Sequence, residues 1–397
     1  MSVTETYDSK PPSDAGSPTP LGDLVVLDTA TVIAGPMAAM VLGDYGARVI
    51  KVEHPTGEHF RRQSKGLWQF FSRNKECITC NLSTPAGAAA YRRLASRADV
   101  IIENFRPGTF ARWGLDYATL SAENPGLILV HVSGFGQDGP WANRPGYGSL
   151  VEALSGLTAV TGEPDGGPTP PGQPVADQMA AMTAVAATLM ALRDRERTGL
   201  GQEIDLSLYA PMLYLMGMSI TDYNATGRQP VRGGYFSSRN MRCIGRCADG
   251  SWALVVSIDA KRLELIDRFL LDRGYFDDQD RDRERDVTEI GTALRDWLSK
   301  KARASALEEL TAADIPCSPV NSVAEVATDE LFRARRDLIP YDDGEGGSVM
   351  MPRPAARFSR SGIRVEQAGG ALGTANESVY RDWLGLDLDG LRAEGAV

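Results

Sequence analysis

The sequence predicts an α/β protein: a Rossmann-like, doubly wound parallel sheet with a smaller α+β domain inserted into it. Three observations carry that expectation. Apolar runs of strand length alternate with helical stretches from Leu24 to Ser133, the pattern of parallel strands joined by crossover helices. The composition changes near residue 225, where Gly233-Gly234 introduces a second set of elements. A chain of 397 residues is also long enough to build two cores. The expected boundaries are a tail over 1–20, the first part of the large domain over 21–224, a small domain over 225–335, and a return segment over 336–397 that completes the large domain.

Each element has its own justification. Met1–Pro20 is rich in Ser, Thr, Pro and Asp and lacks the apolar core of a signal peptide, so it reads as a disordered tail. Leu24–Asp28 is an apolar run and reads as a buried strand. Pro36 suits the first position of a helix that runs to Tyr45 and ends at Gly46. Arg48–Val52, ending at Glu53, is the second strand. Thr84-Pro85 starts a helix through Ala95, and Asp99–Glu103 follows as a strand. Asn104–Gly108 is a turn, a short helix precedes Gly114, and Leu127–Ser133 is a further strand.

A Gly/Pro loop, Thr161–Pro171, leads into the most helix-like stretch, Ala176–Leu192, which Arg193–Arg197 closes in charge. Further on, Ser251–Ser257 alternates as a strand, while Ala260–Leu271 and Glu289–Lys300 are amphipathic helices. The charged run Asp277–Asp286 is a solvated loop or helix start. A basic segment, Arg333–Arg357, then leads to a final helix, Asn376–Leu384.

Composition excludes several functions. A formal net charge of −10 argues against nucleic acid or an anionic membrane as partner. No apolar run approaches the roughly 18–20 residues of a membrane span. Five cysteines give no disulfide framework. Cys77 and Cys80 have zinc-ligand spacing, but in a strand they point to opposite faces, so they read as buried thiols of a reducing cytoplasm and no metal is expected. A dinucleotide site is disfavoured because Gly35 is followed by Pro36 instead of a glycine fingerprint. Of the three histidines, His131 lies in an apolar strand and reads as a hydrogen-bonded core residue. No Gly-x-Ser-x-Gly elbow is present. Nucleophile candidates therefore narrow to carboxylates, and Asp177, where the loop meets the helix, is the best placed. Two readings of it stand: a helix N-cap, or an ionised carboxylate at a helix N-terminus presented to a pocket.

At this point the residues match a family. Ala34-Gly35-Pro36, Gly46–Glu53, Asn74-Lys75, Ala98–Gly108, Ser133-Gly134-Phe135-Gly136 with Gly139-Pro140, and Thr198–Gln202 stand in the order and spacing of the class III CoA-transferases. The chain resembles that family from about Leu24 to Leu208 and more weakly beyond. The group includes formyl-CoA:oxalate CoA-transferase and, more distantly, α-methylacyl-CoA racemases.

The resemblance implies that Asp177 is the nucleophile, attacking an acyl-CoA thioester and carrying CoA as an aspartyl thioester. Ala176 and Ala180 would leave room for that bulky group. Backbone N–H groups of Gly233 and Gly234 would stabilise the oxyanions. CoA, a substrate with no permanently bound cofactor beside it, would meet Ile33, Ala34, His54, Asn104, Phe105, Arg106 and Tyr147, with Arg112 as a phosphate partner. Relatives often carry an acid where this chain has Gly148, and Glu152 stands one helical turn further on. The resemblance further implies an interlocked, ring-like homodimer and a carboxylic acid as acceptor. An acyl-CoA racemase or epimerase on the same fold, or a non-catalytic acyl-CoA-binding relative, remains the alternative. A racemase needs two acid/base groups, and only Asp177 is evident.

Overall fold

The computed structural model describes residues 18–397 except 164, 233–240, 278, 280–282 and 284. It divides into two compact units, one running to Ser155 and including Pro170–Leu215 and Glu330–Val397, the other comprising Gly156–Thr169 and Met216–Asp329. The end of the expected tail is described, with the Pro18 carbonyl accepting the Gly362 N–H at 3.0 Å.

The first unit is built on six strands, β1 (Val25–Asp28), β2 (Arg48–Glu53), β3 (Lys75–Thr79), β4 (Val100–Glu103), β5 (Ile128–Ser133) and β6 (Glu203–Ser207). They lie side by side in the order β3-β2-β1-β4-β5-β6, and every neighbouring pair is parallel. The sheet is the doubly wound one that the alternation predicts. Its central strands are buried on both faces, with Leu27 registered between Ile50 and Ile101, which explains their continuous apolar runs. Sequential order reverses at β1, so the loops leaving β1 and β4 part at the switch point where such sheets bind ligands.

Local chemistry sets the helix boundaries. Thr84 caps the helix Pro85–Ala95, its hydroxyl accepting the Gly87 N–H at 3.0 Å, and Pro85 needs no partner for an N–H it lacks. The first helix, Ala34–Asp44, starts two residues before the expected Pro36. Proline is tolerated there because first-turn N–H groups have no partner within the helix. Cys77 and Cys80 are both buried, and burial pushes each thiol up to about 11. Among the described residues no group of three or more His, Cys, Asp or Glu is arranged to hold a metal.

The long helix is Val175–Thr198, longer than expected at 24 residues. By length and composition it could cross a membrane, contrary to the sequence expectation. Its small side chains, Ala176, Ala180, Ala184 and Ala191, are buried, and the helix packs on Ala34–Asp44 and β5.

The return segment differs from expectation in two places. An antiparallel hairpin, Leu338–Asp342 with Ser348–Pro352, occupies the stretch read only as a basic return segment. The final helix is a π-type turn, Glu377–Trp383, followed by a separate helix, Leu388–Ala393. Tyr380 in that turn is fully buried and donates its hydroxyl to the Thr79 carbonyl at 2.8 Å, so the chain's end packs into the first unit's core.

The second unit contains a three-stranded antiparallel sheet, β7 (Met241–Arg246), β8 (Trp252–Ser257) and β9 (Cys317–Val320). Helices Ala260–Leu271, Val287–Ser299 and Arg303–Ala312 cover it, and Val255, Ile266, Leu270, Leu294 and Trp297 lie in its core.

Candidate active site

The site is assembled from loops that leave the carboxyl ends of the sheet strands. The turn after β1 carries Val32 at φ 69°, an outlier for a β-branched residue. Its surroundings hold it there. Asn104 accepts the Thr31 N–H at 2.8 Å and donates to the Thr31 carbonyl at 2.7 Å. Glu58 accepts the Val32 N–H at 2.8 Å. Lys51, buried beneath, donates to the Ala30 carbonyl and pairs with Glu58 at 3.0 Å.

The loop after β4 is fixed in turn by Glu103, which accepts the Phe105 N–H at 2.7 Å. Glu103 also bonds His131 Nδ1, while His131 Nε2 meets Glu203 at 2.8 Å. Burial works against a charge on His131, but the two carboxylates outweigh it and raise its pKa. His131 is thus the hydrogen-bonded core residue the sequence suggests.

After β5 the backbone passes close to itself. A Cβ added at Gly146 would lie 2.5 Å from the Gly134 Cα, so neither position has room for a side chain. The helix Gly148–Leu154 follows and packs on the start of Val175–Thr198. Here the Asp177 carboxylate rests directly against Gly148, where a Cβ would come within 2.2 Å of Asp177 Oδ2.

Asp177 is not the helix cap. Pro174 occupies that position, and Asp177 is the third residue of the helix. The orphan N–H of Ala176 is accepted instead by Glu152 Oε1 at 3.0 Å. The environment also reverses the expected influence of the helix dipole. Burial, and then the neighbouring Glu152 charge, push the Asp177 carboxyl up to about 6. Ala176 and Ala180 make no room for a substrate, because both are fully buried on the face that packs into the core.

The room lies elsewhere. A cavity of about 460 Å³ is lined by Asp177 together with Ile33, Ala34, Asn104, Phe105, Arg106 and Tyr147. A second cavity, of about 400 Å³, is lined by His54 and shares Thr31, Val32 and Phe105 with the first. Arg112 lines neither; it donates to Thr109 Oγ1 at 2.8 Å. Asn104 lines the first cavity, but its amide is committed to the Thr31 backbone. Gly233 and Gly234 lie outside the described residues.

Sequence reasoning missed three contributors. Val32 carries no signal, since only the folded backbone shows its strain. Glu58 stands five residues after the end of β2 and was open to suspicion as an acid in a ligand-facing loop. Arg144 lines the first cavity, its guanidinium 4.1 Å from the centre of the Trp141 ring, and the Trp-x-x-Arg spacing in a loop after β5 was the available clue.

Comparisons with known proteins show the family and the fold. The sequence profile of CoA-transferase family III matches residues 21–376. The succinyl-CoA–D-citramalate CoA-transferase of Chloroflexus aurantiacus is 35% identical over 395 residues, covering 94% of this chain and 96% of that protein. The succinate–glutarate CoA-transferase of Agrobacterium fabrum is 32% identical, covering 91% and 95%. The crystal structure of a CAIB/BAIF family protein from Brucella suis superposes with a TM-score of 0.83 at 30% identity, covering 93% of this chain and all of that one.

Proposed function

The chain belongs to CoA-transferase family III and is a CoA-transferase; from that premise we propose that Asp177 carries CoA covalently between an acyl-CoA donor and a dicarboxylic acid acceptor. The observation that carries this reading is the Asp177 carboxylate, in a cavity walled by the loops of β1, β4 and β5.

With a pKa of about 6, Asp177 is roughly 90% ionised at pH 7. It is also a stronger nucleophile than an ordinary aspartate, because nucleophilicity rises with basicity. Its Oδ attacks the thioester carbonyl, the C–S bond breaks, and CoA leaves as the thiolate. The thiolate then attacks the aspartyl carbonyl of the resulting anhydride and expels the donor acid as a carboxylate. The acceptor carboxylate runs the same two steps in reverse. Charge balances throughout, and no external base takes part.

The acceptor class is supported by two things. The relatives' names pair succinyl-CoA or succinate with D-citramalate or glutarate; the three free acids carry two carboxylates each, and succinyl-CoA keeps one beside its thioester. Arg144 and Arg106 bring two cations to the cavity that holds Asp177, so one carboxylate can react while the other is paired. The second cavity, lined by His54 and sharing Thr31, Val32 and Phe105 with the first, offers further room for CoA.

The experiment is intact-mass analysis of the protein with succinyl-CoA, followed by hydroxylamine trapping. A CoA adduct, and a hydroxamate at residue 177, are the expected results. With a panel of acceptors, dicarboxylates should turn over faster than monocarboxylates, and Arg144→Ala should erase that preference. A hydroxamate elsewhere, or no adduct, would overturn the assignment.

A further inference from the structure

We propose that Glu152 is a positioning residue for CoA transfer, whose buried carboxylate fixes the start of the long helix and favours the covalent intermediate on Asp177. The proposal rests on the reading of Asp177 as the nucleophile.

Glu152 is only 1% exposed. Its side chain accepts one N–H, from Ala176, and no cation pairs with it among the described residues. Its bonded partner, Ala176, directly precedes Asp177, whose own carboxylate sits in the space left by Gly148 on the helix that carries Glu152. Two carboxylates therefore meet at the junction of two helices.

No other titratable group on the elements packed there enters the pair. The helix Ala34–Asp44 carries only Asp44, which is bonded to Arg73. β5 carries only His131, held by Glu103 and Glu203. β6 carries Glu203 and Asp205, the latter accepting the Gln137 N–H. The helix Tyr209–Leu215 carries only tyrosines, and Gly148–Leu154 has no titratable group besides Glu152.

The consequence follows from the charge balance. Asp177 carboxylate plus acyl-CoA becomes aspartyl-CoA thioester plus free carboxylate, so one of the two facing charges leaves with the donor acid. The repulsion from Glu152 is present before the reaction and absent after it. Glu152 thus raises the free energy of the resting carboxylate and leaves the neutral thioester untouched. Burial of Asp177 acts in the same direction.

The test is Glu152→Gln, which keeps the Oε1 acceptor for Ala176 and nearly the same volume while removing the charge. Its acid limb in kcat/KM against pH should move down by roughly half a unit or more. The fraction of protein carrying the aspartyl-CoA adduct, at fixed succinyl-CoA and succinate, should fall severalfold. Glu152→Ala should add a loss of melting temperature, because it also removes the acceptor. An E152Q enzyme with unchanged acid limb and adduct fraction would make Glu152 a cap and nothing more. If E152Q does not fold, the wild-type acid limb decides: a midpoint near 6 supports the proposal and one near 4 overturns it. Absence of adduct in the wild type would overturn the Asp177 reading and this proposal together. Adduct in the wild type with an indifferent E152Q overturns this proposal alone.

Discussion

At the scale of single residues, the cost of holding Asp177 ionised should be measurable as stability. Its folded pKa of about 6 lies above the ordinary 3.8. The folded state therefore prefers the protonated form. That preference is fully present below the unfolded pKa and is lost as pH rises through about 6. Above pH 7 the ionised carboxylate destabilises the fold by about 1–3 kcal/mol. Asp177→Asn should abolish transfer yet stabilise the protein by that amount at pH 7.5, with the gain vanishing near pH 3.5. Denaturant titrations at the two pH values check this, and a variant less stable at pH 7.5 would contradict it. Asp177→Ala is also usable, since Glu152 and not Asp177 caps the helix. The sequence singled out Asp177, and the folded chain places it on the wall of the first cavity. It did not show the sign of the pKa shift, because that sign depends first on burial and then on a carboxylate 25 positions away in the chain.

At the scale of elements, the strained turn after β1 is the part the site depends on most. Val32 keeps φ 69° only while Asn104, Glu58 and Lys51 grip its neighbours. Strain of this kind persists when surrounding structure over-determines it. Asn104→Ala removes the partner of the exposed Thr31 N–H and carbonyl, at a cost of about 0.5–1.5 kcal/mol for each bond. The expected result is a lower melting temperature together with a raised KM for acyl-CoA, while KM for the acceptor changes less. Equal effects on both substrates would mean that the turn supports the whole cavity and not the CoA side. The sequence marks Asn104 as a ligand contact. Its role as a clamp needs the pairing of β1 with β4, which brings residues 31 and 104 together.

At the scale of the whole molecule, the resemblance implies a homodimer. Leu150, Leu154, Met190 and Tyr214 are exposed on the first unit's helices, apolar surface of the kind a partner covers. We expect a solution mass of twice 42.8 kDa by light scattering, at concentrations down to the micromolar range. A monomeric mass would leave those side chains to another explanation. Chain ends also acquire meaning only at this scale: Tyr380 reads as an ordinary aromatic in a helix, yet it seals the end of β3 some 300 residues earlier in the chain.

The sequence by itself determined the doubly wound parallel sheet, the place of β1, β2, β4 and β5 in it, and the nucleophile candidate at the loop–helix junction. These follow from local causes: apolar runs, caps such as Thr84, and glycine or proline at element ends. The family resemblance, too, rests on short motifs in linear order. Tertiary structure alone decided which loops share a cavity, that Arg112 stays out of it while Arg144 lines it, and that Asp177 leans on Gly148 beside a buried Glu152. It also supplied the hairpin of the return segment, which forms against Tyr45 and Phe70 of the first unit. The physical reason is common to all of these. Burial, like-charge proximity and close backbone approach are properties of residues far apart in sequence, and no local propensity records them.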